Sequence, residues 1–130
     1  FCPEIEIGLG VPREPVQLVA DGDTTRCVGT IDSRLDVTAR LLACADEQQP
    51  WQDEIFGYIF KQGSPSCGVA DVPVFHAGQP ERSGTGIYAG RVMHNFPDLP
   101  VIEEGRLGDP AVREDFIERV RAYRRTSTHC

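Results

Sequence analysis

The sequence predicts a single α/β domain, Rossmann-like, with a mainly parallel sheet flanked by helices. Two observations lead to this class. Segments with strand character alternate along the chain with segments of helical periodicity. One of them, residues 54–60 (EIFGYIF), is apolar throughout and rich in aromatic and β-branched residues, as the interior strands of parallel sheets are.

The N-terminal part predicts an ordered loop followed by a β-hairpin. Prolines and glycines between residues 2 and 15 argue against regular helix there. Residues 16–19 and 26–31 are two short apolar runs on either side of the polar turn 21–25. This pattern is typical of two strands paired as a hairpin.

A helix should follow the hairpin. Apolar residues recur at helical spacing between positions 37 and 45, with Asp36 or Ser33 as the cap. Pro50 should end this helix, and the strand at 54–60 comes next.

The second half repeats the alternation of strands and helices. Residues 72–86 predict a β-like arm with a glycine-rich turn, and residues 87–96 a short helix that stops before Pro97. Residues 99–104 predict a strand. Asp109 and Pro110 then form an N-cap and N1 pair that opens the last helix. Its apolar stripe consists of Val112, Phe116, Val120 and Tyr123.

Composition argues against several functional classes. A chain of 130 residues is long enough for one domain with a core, and its net charge of −7 gives no basis for non-specific binding to nucleic acid or to an anionic membrane. No apolar run approaches the ~20 residues that span a bilayer, and no signal-peptide pattern is visible. Five irregularly spaced cysteines are a poor disulfide framework, so we expect a reducing, cytoplasmic setting.

The strongest candidate functional residues are two cysteines in proline-containing loops. Cys2 precedes Pro3, and Cys67 lies in residues 61–71 (KQGSPSCGVAD), directly after the strand at 54–60. Ligands of parallel α/β sheets bind at the carboxyl ends of the strands. Prolines stiffen both loops, which suits thiolates that hold a metal. The alternative is that both cysteines are small buried residues.

The other three cysteines carry weaker signals. Cys44 lies among the apolar residues of the first long helix and should belong to the core. Cys27 lies in a predicted strand and should serve packing, and Cys130 is terminal.

Three polar residues accompany the candidate cysteines. Glu4, Ser64 and Ser66 could donate or accept protons, or could serve only as local caps and turn-forming groups. His76 and His94 are isolated and are expected at the surface. The chain has no CxxC motif and no phosphate-binding loop, so zinc and nucleotide sites are weakly indicated.

These residues resemble one known family, the iron–sulfur thiouracil desulfidases (TudS). The resemblance spans nearly the whole chain and is carried by CPE at 2–4, DVT at 36–38, GYIFKQGSPSCG at 57–68, GTGIYAG at 84–90 and the segment 96–120. The sequence segments GLGVPRE and LPVIEEGRL are most similar to those of the longer, YbgA-like members. Those members carry a second, C-terminal domain and resemble desulfidases that act on 4-thiouridine in tRNA.

The resemblance implies a 4Fe–4S cluster held by three cysteines. Cys2 and Cys67 match two of them. The third belongs to an N-terminal SxCLxG segment that also starts the family's first strand, and this chain begins after that point. The resemblance therefore predicts an N-terminally incomplete desulfidase-like domain over residues 1–130, lacking that strand and doubtful as a catalyst on its own.

The implied activity is removal of sulfur from a thiolated pyrimidine, as a free base, a nucleoside or tRNA. Sulfur would leave as hydrosulfide, and Glu4, Ser64 and Ser66 would transfer protons and position the substrate. One alternative is a noncatalytic module that binds a metal or a partner. Another is a cluster-free enzyme with Cys67 as nucleophile, for which the sequence offers no strong histidine partner.

Overall fold

A computed structural model describes residues 1–9 and 15–127 and confirms the α/β class. The described part contains five α-helices, six strands and one 3₁₀ turn. In chain order these are α1 (Pro3–Glu6), β1 (Val16–Asp21), β2 (Thr24–Gly29), α2 (Thr38–Glu47), α3 (Gln49–Gln52), β3 (Tyr58–Phe60), β4 (Val72–His76), β5 (Gln79–Gly84), α4 (Ile87–Asn95), β6 (Val101–Glu103), the 3₁₀ turn Glu104–Arg106 and α5 (Pro110–Ser127).

The strands form two small sheets, one of mixed direction and one parallel. Four strands are ordered β2-β1-β4-β5, and β3 pairs with β6 in a separate sheet. The pairs β1–β4 and β3–β6 are parallel, whereas β1–β2 and β4–β5 are antiparallel hairpins. The predicted N-terminal hairpin is confirmed, and the predicted β-like arm at 72–86 is the second hairpin.

The segment after Cys2 differs from the prediction of a loop. Residues 3–6 form one helical turn, in which Glu6 N–H donates to the Cys2 carbonyl and Ile7 N–H to the Pro3 carbonyl, both at 3.0 Å. Pro3 begins this turn, a position where its missing N–H is not needed and its fixed φ suits the helix. The rest of the predicted loop, residues 10–14, lies outside the described residues.

Two boundaries also differ from the sequence prediction. The strand predicted at 54–60 is formed only by Tyr58–Phe60. The helix predicted to reach Pro50 ends at Glu47, and Pro50 lies in the first turn of α3.

The start of the last helix agrees with the prediction. The Asp109 carboxylate accepts the N–H groups of Ala111 at 3.0 Å and Val112 at 3.4 Å. Phe116, on the predicted apolar stripe of this helix, is buried. No helix in the described part of the chain is long and apolar enough to cross a membrane.

Helix α2 joins two hydrophobic clusters. Val37 and Leu41 pack with the four-stranded sheet, and Cys44 and Ala45 pack with β3, α4 and the segment before β6. The two clusters therefore share one helix. The first consists of Val16, Leu18, Cys27, Val37, Leu41, Val72 and Val74, and the second of Cys44, Ala45, Phe60, Tyr88, Ala89, Val92 and Leu99.

A carboxylate links α2 to α4. Asp46 accepts hydrogen bonds from Arg91 Nε at 2.9 Å, Arg91 Nη2 at 3.0 Å and Asn95 Nδ2 at 3.0 Å. These bonds, first those from Arg91 and then that from Asn95, lower the pKa of Asp46 to about 2. Since the pKa of an unfolded aspartate is about 3.9, the ionised group stabilises the fold above that pH.

We expect Asp46→Asn to lower the melting temperature at pH 7 and to lose this effect in acid. The stabilisation that Asp46 provides disappears as the pH falls through its folded pKa of about 2, so the two proteins should converge there. Thermal melts from pH 7 to pH 2 measure the difference. Glu47→Gln, one residue along the same helix, is the control, and equal losses from both variants would contradict the prediction.

Candidate active site

The loop that contains Cys67 is bonded to the first turn of α4. Gly86 N–H donates to the Gly68 carbonyl at 2.8 Å, Ile87 N–H to the Pro65 carbonyl at 3.1 Å and Ala89 N–H to the Ser66 carbonyl at 2.9 Å. The first N–H groups of a helix have no partner within the helix. The loop supplies these partners, and in return its own backbone is fixed.

Two glycines permit this close contact. A Cβ atom on Gly86 would lie 2.5 Å from the Ser66 carbonyl carbon and 2.7 Å from the Cys67 nitrogen. A Cβ atom on Gly68 would lie 2.9 Å from the Ser64 oxygen and closer still to the Val72 side chain. Because both glycines face backbone atoms, which cannot swing aside, the loop conformation depends on the absence of side chains here.

Both ends of the loop are held by carboxylates, that of Glu103 at the end of β6 and that of Glu104 directly after it. Glu104 Oε2 accepts Gln62 N–H at 2.8 Å, and Glu103 Oε2 accepts Val69 N–H at 3.0 Å. Glu103 is buried. The sequence predicted a strand over residues 99–104 but no role for Glu103 or Glu104. Two adjacent carboxylates at the end of a short apolar strand were a signal for such a role, because buried carboxylates need hydrogen-bond partners.

Three polar side chains form a directed hydrogen-bond chain. Ser64 Oγ accepts the N–H groups of Ser66 at 3.2 Å and Cys67 at 3.0 Å, so its own proton is free to donate to Ser66 Oγ at 3.0 Å. Ser66 Oγ in turn donates to Glu4 Oε2 at 2.7 Å. The structure thus brings together Glu4, Ser64 and Ser66, the three polar residues that the sequence singled out.

The two candidate cysteines lie near each other in this cluster. Burial is the largest cause that raises the pKa of the Cys67 thiol to about 11. The hydrogen bond from Ser66 lowers this pKa, and electrostatic interactions with Cys2 and Glu4 raise it by smaller amounts. Ser66 Oγ is 3.7 Å from Cys67 Sγ. The helical turn α1 places Cys2 and Glu4 together against the loop. Glu4 and Ser66, which are 62 positions apart in the sequence, thereby come into contact.

The remaining described cysteines lie in the core, as predicted. Cys44 is 2% exposed in α2, and burial raises its pKa to about 11. Cys27 is fully buried in β2, and burial followed by the charge of Glu4 raises its pKa to about 12. The four described cysteines are free thiols, and Cys130 lies outside the described residues.

The side chains of Cys2, Cys67 and Glu4 are of the types that bind metals in proteins. Cys2 and Cys67 match the ligand type of iron–sulfur clusters, which are bound by thiolates. Within residues 1–9 and 15–127, no group of three or more histidine, cysteine, aspartate or glutamate side chains is arranged to hold a metal. Among the described residues, Cys2 and Cys67 are therefore the two candidate ligands.

We expect Gly86→Ala to destabilise the domain by about 1–3 kcal/mol, because the new methyl group overlaps backbone atoms of the loop. Gly90→Ala, one turn further along α4, is the matched control. Its added Cβ meets only the Thr85 side chain at 3.6 Å, so this change should be neutral or stabilising by up to about 1 kcal/mol. Urea unfolding measures both, and equal effects would contradict the steric argument.

Comparison with known proteins identifies a family and a similar fold. The family described as 2-thiouracil desulfurase matches residues 1–104. The solved structure of the 4Fe–4S-dependent thiouracil desulfidase TudS is similar with a TM-score of 0.61 and 27% sequence identity, over 88% of this chain and 72% of that chain. No curated protein sequence matches the chain. The matched region contains Cys2, Glu4 and the Cys67 loop, and the chain belongs to the 2-thiouracil desulfurase family.

Proposed function

We propose that this domain removes sulfur from a thiolated pyrimidine by hydrolysis, with Cys2 and Cys67 as two ligands of a 4Fe–4S cluster. The observation that carries the proposal is the 2.7 Å hydrogen bond between Ser66 and Glu4, beside the free thiol of Cys67. It joins a proton-transferring carboxylate to the loop that bears Cys67. The family match and the similarity to TudS support the same activity.

The reaction converts a C=S group of the substrate into a C=O group. Water supplies the oxygen of the new C=O group, and the sulfur of the C=S group leaves as hydrosulfide with one proton released. A bound cluster with an open iron would supply a Lewis acid for the sulfur. Glu4 is suited to take a proton from the attacking water, because its carboxylate accepts the Ser66 hydrogen bond and can accept a further proton.

The serines position this carboxylate. Ser66 is 2% exposed, and its hydroxyl proton is directed to Glu4 by the bond that Ser64 donates. Since Ser64 is itself fixed by two backbone N–H groups, the chain of three groups has one favoured direction. We assign proton transfer to Glu4 and orientation of Glu4 to Ser66 and Ser64.

A noncatalytic metal- or partner-binding module is the second candidate function. The observation that favours it is that two thiols, rather than three, come together in the described part of the chain. A cluster-free enzyme with Cys67 as nucleophile is less well supported. Burial raises the pKa of this thiol to about 11, and protonated thiols are poor nucleophiles.

Substitutions in the anaerobically purified holoprotein distinguish ligands from proton-transferring groups. Cys67→Ser should abolish both the iron–sulfur absorbance and desulfidation. Glu4→Gln should keep the absorbance and lower the rate by about 10²-fold or more, because a positioned acid or base contributes 10²–10⁴-fold. Visible spectra and hydrosulfide release measure the two properties.

Two further variants serve as controls for this experiment. Cys44→Ala, in the core, should keep both properties. Ser83→Ala, on the exposed strand β5, is the control for Ser66→Ala, which should lower the rate and keep the absorbance. An intact cluster without hydrosulfide release from any thiopyrimidine would instead support the noncatalytic module.

The substrate can be identified by comparing free 4-thiouracil, 4-thiouridine and tRNA that contains 4-thiouridine. We propose a thiolated pyrimidine that enters as a base or nucleoside, because the net charge of −7 opposes binding of a polyanion. Hydrosulfide release should then be higher with the small substrates at equal thiopyrimidine concentration. Faster release from tRNA would contradict this choice.

A further inference from the structure

The backbone around Cys67 is hydrogen-bonded residue by residue. Cys67 N–H donates to Ser64 Oγ at 3.0 Å, and Gly68 N–H donates to the Ser64 carbonyl at 2.8 Å. The Gly68 carbonyl accepts Gly86 N–H at 2.8 Å. The residue that follows, Val69, is held differently, by side chains from two distant segments of the chain.

Val69 is bonded through both of its backbone polar groups. Its N–H donates to Glu103 Oε2 at 3.0 Å, and its carbonyl accepts the Thr85 hydroxyl at 3.0 Å. Glu103 ends β6, and Thr85 lies between β5 and α4. The Val69 side chain also packs against the second hydrophobic cluster. Residues 34 and 16 positions away in the sequence thus fix the chain just after Cys67 and Gly68.

The glycine between Cys67 and Val69 makes this anchor important for the thiol. Gly68 has no side chain because a Cβ atom would overlap the Ser64 backbone and Val72. Without a Cβ, a glycine reaches many more backbone conformations than other residues do. The Cys67–Gly68 segment therefore keeps one conformation only while the residues on both sides of it are held.

The two glutamates that contact the loop differ in their surroundings. Glu103 is 8% exposed, whereas Glu104 and its partner Gln62 are exposed. Water can replace the Glu104 carboxylate at the Gln62 N–H. At Val69, which is partly buried, loss of the Glu103 oxygen leaves an N–H group without an acceptor, which is the more costly change.

We propose, resting on the function proposed above, that Glu103 and Thr85 are positioning residues that hold the Cys67 thiol in its ligand position. They act through the Val69 backbone, from β6 and from the start of α4. The task of Glu103 is to accept one hydrogen bond, so the side-chain oxygen of a glutamine can perform it and a methyl group cannot.

Alkylation of the full chain without its cluster tests this role without turnover. Iodoacetamide labels the thiols, and mass spectrometry of peptides gives the rate at each cysteine. Glu103→Ala should raise the Cys67 rate about tenfold, because loss of a buried hydrogen bond frees the loop that partly buries this thiol. Thr85→Val, which removes the hydroxyl and keeps the shape, should raise it too. Glu103→Gln should react like the unchanged chain.

Internal and matched controls separate release of the loop from loss of the fold. Cys27 and Cys44 are buried in the core, so their alkylation should stay slow in every variant. Glu104→Ala removes the neighbouring carboxylate from an exposed N–H and should raise the Cys67 rate less than Glu103→Ala does.

The anaerobically purified holoprotein gives a second readout. An iron chelator should bleach the visible absorbance faster in Glu103→Ala and Thr85→Val than in the unchanged protein, because a ligand that loses its fixed position holds the metal less firmly. Glu103→Gln should bleach at the unchanged rate. This rescue by the conservative variant distinguishes a positioned hydrogen-bond acceptor from a required charge.

Three outcomes would overturn the assignment. The first is an unchanged Cys67 rate in Glu103→Ala and Thr85→Val, and Thr85→Val alone decides this where Glu103→Ala fails to fold. The second is a parallel increase at Cys27 and Cys44, which would mark general destabilisation. The third is a Glu103→Gln variant that reacts like Glu103→Ala.

These outcomes are separate from those that test the proposed function. Each of the three leaves the desulfidase proposal standing, because that proposal is judged by hydrosulfide release. Conversely, selective release of Cys67 in a protein that forms no hydrosulfide would support the positioning role and contradict the catalytic one.

Discussion

The structure of the site depends on the contact between the first turn of α4 and the loop that contains Cys67. Each side of this contact needs the other. The helix end has N–H groups without internal partners, and the loop has carbonyl groups that no strand pairs. Gly86 and Gly68 allow the two backbones to meet at van der Waals distance. Ser66 and Cys67 therefore take their positions from main-chain bonds rather than from their own side chains.

The chemical consequence of this contact is a compact group of one carboxylate and two thiols. Glu4, Cys2 and Cys67 share a partly buried region in which the described side-chain contacts include no arginine or lysine partner for the two cysteines. Burial and neighbouring negative charge keep the Cys67 thiol neutral. A bound cation reverses this balance, because its charge favours the thiolate and compensates the carboxylate.

Sequence patterns predicted the elements better than their boundaries. Asp109 with Pro110 marked the last helix correctly, because a cap and an N1 proline act locally. Pro3 led to a wrong prediction for residues 3–6, since the same residue that breaks a helix also begins one. Strand β3 is shorter than its apolar run because residues before Tyr58 pack without pairing.

The candidate site was only partly visible in the sequence for a similar reason. Cys67, Ser64 and Ser66 are neighbours in the chain, so a motif reveals them. The contacts of Gly86 and Glu103 join segments far apart in sequence, and they become apparent only when the fold brings those segments together. Glycine composition alone could not indicate which glycine a loop backbone approaches.

The shared position of α2 has a consequence for how the domain opens. Val37 and Leu41 close one hydrophobic cluster and Cys44 and Ala45 close the other, so neither sheet keeps its core when this helix detaches. The two sheets should then exchange their amide hydrogens through one common opening event rather than as separate units. Local opening that spares α2 can still occur in the β4–β5 hairpin, whose outer strand is largely exposed.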